Sequence, residues 1–201
     1  MKREATGPSE HLVKALEHVS FRETAERICA LYNAEEDALL LGMMGQEYTI
    51  RRDGIFLRGQ KAPDVHAAVI IDYLFSPVTE PVKLPWRALG DFSGGKASDF
   101  RTRVEMPLTH YAMEIITRAN ALLPMMDAKA AASIINSDMA ISVRALPKVY
   151  LHIELSQESQ DFPPEAWMLF SNNADIFLNL PSLLTLAELF KDRILSLLRI
   201  Y

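Results

Sequence analysis

The sequence is poor in cysteine, in basic charge and in long apolar runs, and each shortage excludes a class of protein. Cys29 is the only cysteine, so no intrachain disulfide framework can form. The longest apolar stretches, such as residues 38–44, are far shorter than the roughly 18 residues that a membrane span requires. Lys and Arg number 21 against 26 Asp and Glu, whereas dedicated nucleic-acid binders present a basic face to phosphates. We therefore expect no nucleic-acid partner and no membrane partner.

Length and composition are typical of a folded soluble protein. The chain has 201 residues, of which 49% are hydrophobic, and a chain of this length buries roughly 70% of its unfolded surface. Glu4, Glu10 and Lys14 follow Met1 closely, which leaves no apolar signal-peptide core. We expect a cytoplasmic protein with a single domain over residues 1–201, in which residues 1–35 form an N-terminal helical segment.

Helical spacing predicts two helices in that N-terminal segment. Leu12, Val13, Leu16 and Val19 recur at helical intervals after Pro8-Ser9, which predicts the first helix.

The second helix is predicted to begin at Ser20, which forms a capping-box pattern with Glu23, and to end near Asn33. Cys29 falls on the apolar side of this helix, so we expect a buried cysteine that serves packing.

The middle of the chain carries strand and turn signals. Asp53-Gly54 separates two β-type runs and predicts a hairpin turn. Pro63-Asp64 predicts the start of a helix, and Pro107 interrupts and restarts a later one. The alanine-rich residues 128–135 are ambiguous between a short helix and a loop.

The clearest strand signals are two alternating segments, residues 139–144 and 149–155. Large apolar residues alternate there with small or polar ones, which is typical of half-buried antiparallel strands. Together with the helices, they predict the α+β class: a helix-rich single domain around a small, mainly antiparallel β-sheet.

Two further helices are predicted near the C-terminal end of the sequence. Residues 161–165 resemble a helix start, which places Trp167 and its apolar neighbours on a helix. Asn179 and Pro181 predict the start of a final leucine-rich helix. If this helix leaves a second apolar stripe exposed, a homo-oligomer can form through it; the residues of that stripe would be Leu183, Leu184 and Leu198.

Several segments resemble one family. Arg-Ala-Leu-Pro at residues 144–147, and Asp-Phe-Pro-Pro-Glu-Ala with a following Leu-Phe at residues 161–170, are similar to the family called domain of unknown function 3786. Weaker matches at residues 45–48 and 70–74 and in the loop at 86–95 extend the resemblance over roughly residues 40–190. The family-like region is thus residues 36–201.

The resemblance implies a prokaryotic protein and no particular activity. Members look common in anaerobes and are sometimes joined to an iron–sulfur domain. Cys29 alone cannot supply the several thiolates that a cluster requires, so we predict no cofactor. Family members often have Asp after the Leu-Phe pair, where this chain has Ser171, so a role that needs that Asp is not implied here.

The two alternating strands also carry the strongest candidate site. Alternation places Tyr150, His152 and Glu154 on one face, with Ser142 and Arg144 across from them if the strands pair antiparallel. A His near a carboxylate and a hydroxyl is the minimal set for general acid–base chemistry. The alternative is the solvated side of a sheet, where Arg144 pairs with Glu154 for modest stability.

A second candidate is the loop around Gly94, Gly95 and Lys96, which precedes a predicted helix start. Such a loop can offer backbone N–H groups to an anion, although a plain loop with a helix cap explains the same residues. Trp86 is a candidate for an aromatic binding wall, with core packing as its alternative. The histidines never occur at H-x-x-x-H or H-E-x-x-H spacing, so we predict no metal site.

These observations favour an accessory module that binds a small molecule or a protein partner. The alternative is an enzyme that acts on a small anionic substrate. In that case His152 is the base, Glu154 orients it, and Arg144 or Lys96 contacts the anion.

Overall fold

The structure is a computed structural model that describes residues 14–200. The predicted start of the first helix at Pro8-Ser9, with Leu12 and Val13, lies outside these residues. Leu16, from the same predicted helix, is fully buried.

Helices and strands follow one another in an α+β order. The helices are α1 (Phe21–Ile28), α2 (Asp64–Phe75), α3 (Ala97–Phe100), α4 (Met106–Thr109), α5 (Ala112–Leu122) and α6 (Leu180–Leu198), with a π-helical turn (Arg101–Glu105) joining α3 to α4. The strands are β1 (Leu31–Asn33), β2 (Ala38–Met43), β3 (Gln46–Arg51), β4 (Gly54–Leu57), β5 (Gln60–Lys61), β6 (Ala128–Ala131), β7 (Met139–Leu146), β8 (Val149–Ser156) and β9 (Glu165–Phe170). Short 3-10 turns lie at Leu89–Asp91, Leu123–Met126 and Ala174–Ile176.

The first sheet is an antiparallel meander in the order β1-β2-β3-β4-β5. Its tight turns at residues 44–45 and 58–59 each place both central residues at positive φ, the geometry that matches the twist of a hairpin. The predicted hairpin at Asp53-Gly54 is present, but its turn lies one residue earlier, because Gly54 already pairs with Arg51.

The second sheet is antiparallel in the order β6-β7-β8-β9. One face of its central strands carries buried apolar residues, among them Ile141, Val143, Leu151 and Ile153, and α4 and α5 pack against this sheet. We call the opposite face, which carries Ser142, Arg144, Tyr150, His152 and Glu154, the outer face.

Helix α6 connects the parts of the molecule. It packs against α2 and α5, and its Leu186 and Phe190 lie in the core. As predicted, Asn179 caps its start: the Asn179 side chain accepts a hydrogen bond from the Ser182 N–H at 2.9 Å. The two sheets meet where the Met44 N–H donates to the carbonyl of Ala145 at 3.1 Å.

The α+β class is confirmed, although the strands form two sheets and not one small sheet. The helix predicted after residues 161–165 is wrong, because residues 165–170 form strand β9. Apolar side chains occupy both faces of this strand, with Met168 buried and Trp167 partly exposed, so the period of two is hidden in the sequence. Residues 128–131 of the ambiguous alanine-rich stretch also form a strand, β6.

Cys29 is a second wrong prediction. Helix α1 ends at Ile28, and Cys29 adopts φ 57°, in the left-handed region. The backbone therefore leaves the helix before β1 begins, and the cysteine side chain becomes exposed. The predicted capping box at the start of this helix is also absent, because the side chain of Ser20 makes no cap hydrogen bond.

Leu183 and Leu198 are buried in the core and Leu184 is half-buried, so the second apolar stripe proposed for α6 is not exposed. None of the helices within residues 14–200 combines the length and the apolar character needed to cross a membrane.

Candidate functional site

Strands β7 and β8 bring the candidate polar residues together on the outer face. Ser142 pairs with His152, and Arg144 pairs with Tyr150. Glu154 follows His152 by two residues and therefore lies on the same face. The arrangement is the one that alternation along an antiparallel pair predicts.

His152 and Glu154 are buried even though they lie on the outer face. Each side chain is only 1% exposed. The Trp86 ring stacks on the His152 ring, with centroids 4.9 Å apart and planes inclined by 19°. The Trp86 segment is fixed at the sheet edge because its neighbour Arg87 pairs with Phe170 of β9. The outer face at His152 is therefore covered, and the expectation of a solvated sheet surface is wrong there.

Glu154 accepts hydrogen bonds from three sides. The Ile134 N–H donates to Oε1 at 2.8 Å, the Ser137 hydroxyl donates to Oε2, and His152 Nε2 lies 2.7 Å from Oε1. Burial alone would raise the pKa of the Glu154 carboxyl, but these hydrogen bonds outweigh it and hold the pKa below its ordinary value. Glu154 is thus a carboxylate at neutral pH.

The carboxylate determines the state of the His152 ring. An ionised carboxylate can only accept hydrogen bonds. His152 Nε2 therefore carries a hydrogen atom and donates a hydrogen bond to Glu154. In the neutral ring, Nδ1 then holds the lone pair. Nδ1 is buried, and no hydrogen-bond partner for it exists among residues 14–200. A buried polar atom without a partner is rare, so Nδ1 is the most unusual atom of this cluster.

A cavity of about 290 Å³ opens on the outer face next to His152. Its wall includes Ser142, the cross-strand neighbour of His152, and Tyr150, two residues before it. The complete lining is Asp127, Ala128, Lys129, Ser142, Arg144 and Tyr150. Cationic and hydroxyl groups therefore converge on one concave surface.

The charges of this cavity are partly paired. Arg144 Nε donates to Asp127 Oδ2 at 2.6 Å, so the expected Arg144–Glu154 pair is wrong. Glu154 is buried and already accepts hydrogen bonds from Ile134, Ser137 and His152. Asp127 lies beside Arg144 at the rim of the cavity. Lys129 takes part in none of the ion pairs found within residues 14–200. The cavity keeps one unpaired positive charge.

The Gly94–Lys96 loop lies elsewhere. Gly94 and Lys96 line a smaller cavity of about 200 Å³ whose other walls include Leu89, Leu180 and Leu184. The helix that follows, α3, has four residues, too few to orient an anion. Gly95 is required for packing, because a Cβ there would lie 2.1 Å from the Leu89 carbonyl oxygen. The structure therefore separates these three residues from the His152 cluster.

Trp86 contacts His152 and is not part of the cavity lining.

No cluster of three or more His, Cys, Asp or Glu side chains that could hold a metal ion occurs in the part of the chain that the structure describes.

The sequence analysis missed a second group of polar residues around Tyr48, His66 and Arg193. They belong to β3, α2 and α6, which are far apart in the sequence and meet only in the fold. The available signal was weak: Asp192, Arg193 and Ser196 interrupt the apolar pattern of α6 at helical spacing.

The model of one family, described as a domain of unknown function (DUF3786), matches residues 20–193. The chain belongs to this family. The resemblance inferred from residues 144–147 and 161–170 is thereby confirmed. Neither the curated proteins nor the solved structures contain a significant match to the chain.

Ser171, which replaces the Asp expected from DUF3786, has a structural role here. It is fully buried, and its Oγ accepts a hydrogen bond from the Tyr150 N–H at 3.3 Å. The serine thus fixes the strand that carries Tyr150 into the cavity.

Proposed function

We propose that this DUF3786 protein is a cytoplasmic small-ligand-binding module that holds a small polar anion in the outer-face cavity. The observation that carries the proposal is the convergence of Lys129, Arg144, Ser142 and Tyr150 on one concave surface. Cations and hydroxyl groups are the donors that recognise carboxylate and phosphate oxygens.

The charges that line the cavity favour a ligand with a single negative charge. Asp127 neutralises Arg144 and fixes its guanidinium in place, so binding does not have to order this side chain. Lys129 supplies the remaining unpaired charge. A monoanion matches this single charge, and a more highly charged ligand would meet the Asp127 carboxylate.

A titration with inorganic phosphate and with acetate tests the proposal. We expect saturable shifts of the Ser142 and Arg144 backbone amides in NMR spectra with at least one of the two anions. Lys129→Gln removes the unpaired charge and should weaken binding by about fivefold, as expected for a partly exposed ion pair.

Lys96→Gln is the matched control, since it removes the same charge from the separate Gly94–Lys96 loop. Absence of saturable shifts with both anions would refute the proposal. An equal effect of Lys96→Gln and Lys129→Gln would place the anion outside the cavity and would refute it too.

General acid–base catalysis on the bound anion is the second candidate function, and one observation favours it. The buried Nδ1 of His152 holds a lone pair without a partner, while Glu154 fixes the opposite nitrogen at 2.7 Å. This is the arrangement of a base with an orienting carboxylate. Because Nδ1 is buried, a neighbouring side chain must move before a ligand reaches it.

The nitrogen chemical shift of His152 Nδ1 in NMR spectra separates the two functions. A ligand that forms a hydrogen bond to Nδ1 changes this chemical shift, and this result supports catalysis. An unchanged chemical shift in the presence of saturating anion leaves binding as the only function of the cavity.

A further inference from the structure

A second cavity, of about 490 Å³, lies where the first sheet, α2 and α6 meet. Its polar lining consists of Gln46, Arg58, His66, Asp192, Arg193 and Ser196. None of these residues lines the outer-face cavity. The two cavities are therefore separate sites.

Arg193 provides a fixed positive charge in this cavity. Its Nε donates to the Met44 carbonyl at 2.9 Å, and its Nη2 donates to the Met125 carbonyl at 2.8 Å. Both acceptors are neutral, and no carboxylate within residues 14–200 forms an ion pair with Arg193. Burial lowers the pKa of Arg193, but a guanidinium keeps its charge at physiological pH. A half-buried charge without a counter-ion is costly, and an anionic ligand would compensate it.

Tyr48 and His66 provide a hydrogen-bond donor beside this charge. The Tyr48 hydroxyl lies 2.7 Å from His66 Nδ1. Burial raises the pKa of Tyr48 to about 12, so the hydroxyl keeps its proton. Tyr48 is fully buried and its hydroxyl has no other acceptor among the described residues, so we assign it as the donor of the hydrogen bond to Nδ1. The proton of the neutral His66 ring is then on Nε2. Burial, followed by the charge of Arg193, lowers the pKa of His66, so the ring stays neutral and offers one N–H donor.

Arg58 adds a second cation, and the one acid of the lining is already paired. Arg58 belongs to the tight turn between β4 and β5 and is exposed. It is absent from the ion pairs formed by the described part of the chain. Asp192 lies 3.1 Å from Lys191 Nζ. The net charge of the cavity is therefore positive.

The remaining lining is apolar. Leu189, Leu197 and Ile200 follow one side of α6 and continue just beyond its end, and Val65 faces them from the start of α2. Val65 is 53% exposed and Ile200 is 73% exposed. An inorganic anion would leave these side chains in water, whereas an apolar group would cover them.

We propose that this cavity binds a monocarboxylate that carries a short apolar body, an aliphatic or aromatic acid. The carboxylate contacts Arg193, Arg58 and the N–H of His66. The apolar body lies against Leu189 and Leu197. The combination of fixed donors with an apolar wall is what small-molecule sites share, and this ligand satisfies both halves of the lining.

Hexanoate is the probe. Acetate, which has the carboxylate without the apolar chain, and hexanol, which has the chain without the carboxylate, are the comparison ligands. Isothermal titration calorimetry of the full chain should give a dissociation constant for hexanoate at least about tenfold lower than for either comparison ligand, since only hexanoate combines charge-assisted hydrogen bonds with apolar burial. Equal affinity for hexanoate and acetate would overturn the assignment of the apolar wall. Equal affinity for hexanoate and hexanol would overturn the assignment of the carboxylate seat.

Arg58→Asn is the variant that locates the ligand. Asn-Gly is the preferred sequence for a turn with both residues at positive φ, so the hairpin is retained while the charge is lost. We expect hexanoate affinity to fall about fivefold. Arg193→Gln removes the central charge but also two hydrogen bonds that join α6 to the rest of the fold, so a folding defect is a risk for that variant alone.

Lys61→Gln is the matched control, because Lys61 lies on β5 outside the cavity and carries the same charge. An unchanged affinity of Arg58→Asn, or an equal loss in Lys61→Gln, would overturn the proposal. The outer-face cavity is proposed to bind monoanions as well, so the same titrations are repeated in Lys129→Gln, which changes that cavity and leaves this one intact.

Discussion

Replacing the buried carboxylate of Glu154 should destabilise the fold in a pH-dependent way. Glu154→Gln keeps the size and shape of the side chain but removes its charge and turns one acceptor atom into a donor. Three donors surround this side chain, from Ile134, Ser137 and His152. The Ser137 hydroxyl can accept from the new amide N–H and donate to the Met139 carbonyl instead, which lies 3.1 Å away. The variant therefore loses the negative charge that strengthens these three hydrogen bonds.

The expected loss at neutral pH is about 2 kcal/mol, within the range for a buried hydrogen bond to a charged group. Its pH dependence follows from the lowered pKa of Glu154 in the folded protein. The unfolded chain takes up the proton more readily than the folded one. The stabilisation is therefore complete above the unfolded-state pKa and is lost as the pH falls through the folded-state pKa. The variant has no titrating group at this position, so the difference from the native protein shrinks in acid.

Urea denaturation between about pH 7 and about pH 3 measures both effects. Glu158→Gln is the control, because Glu158 is exposed and its replacement should change the free energy of unfolding by less than about 0.5 kcal/mol. An unchanged free energy for Glu154→Gln at neutral pH would refute the reasoning. A loss of the same size at every pH would show that the carboxylate is not the cause.

Two further predictions concern the backbone. Gly45→Ala should cost about 3 kcal/mol, since Gly45 has φ +71° and a Cβ there would lie 2.4 Å from the Met125 carbonyl oxygen; Gly42→Ala, with nothing within 4 Å of its Cβ, should change the free energy of unfolding by less than about 1 kcal/mol. Asn179→Ala should cost about 1 kcal/mol, because the Ser182 N–H loses its acceptor. Thermal unfolding checks both, and a neutral Gly45→Ala or Asn179→Ala would contradict the contact assigned to it.

The fold elements that the sequence predicted well are those with a strong local signal. The final helix has its cap at Asn179 and a leucine stripe, and strands β7 and β8 alternate cleanly. Strand β9 was mistaken for a helix because Pro163-Pro164 resembles a helix start, and apolar side chains on both faces hide the alternation. Tertiary pairing with β8 decides its conformation.

The candidate site, too, was predictable only where its residues follow a local sequence pattern. Alternation placed Ser142, Arg144 and Tyr150 on one face, and they line one cavity. It carried no information on Asp127, which comes from the turn before β6 and takes the Arg144 ion pair. It also could not show that Trp86 covers His152, since their contact joins segments more than sixty residues apart in the sequence.

His152 beside the outer-face cavity is buried and His66 in the cavity at α6 is half-buried, and their neighbours give the two rings opposite chemistry. The ionised Glu154 accepts a hydrogen bond from Nε2–H of His152, which leaves Nδ1 with a lone pair that needs a hydrogen-bond donor. The protonated Tyr48 donates to Nδ1 of His66, which leaves Nε2–H as a donor that needs an acceptor. A carboxylate oxygen of a ligand can therefore accept a hydrogen bond from His66 Nε2–H without any proton transfer. The same oxygen would repel the His152 lone pair unless it carries a proton, so a ligand that reaches His152 must bring a hydrogen-bond donor.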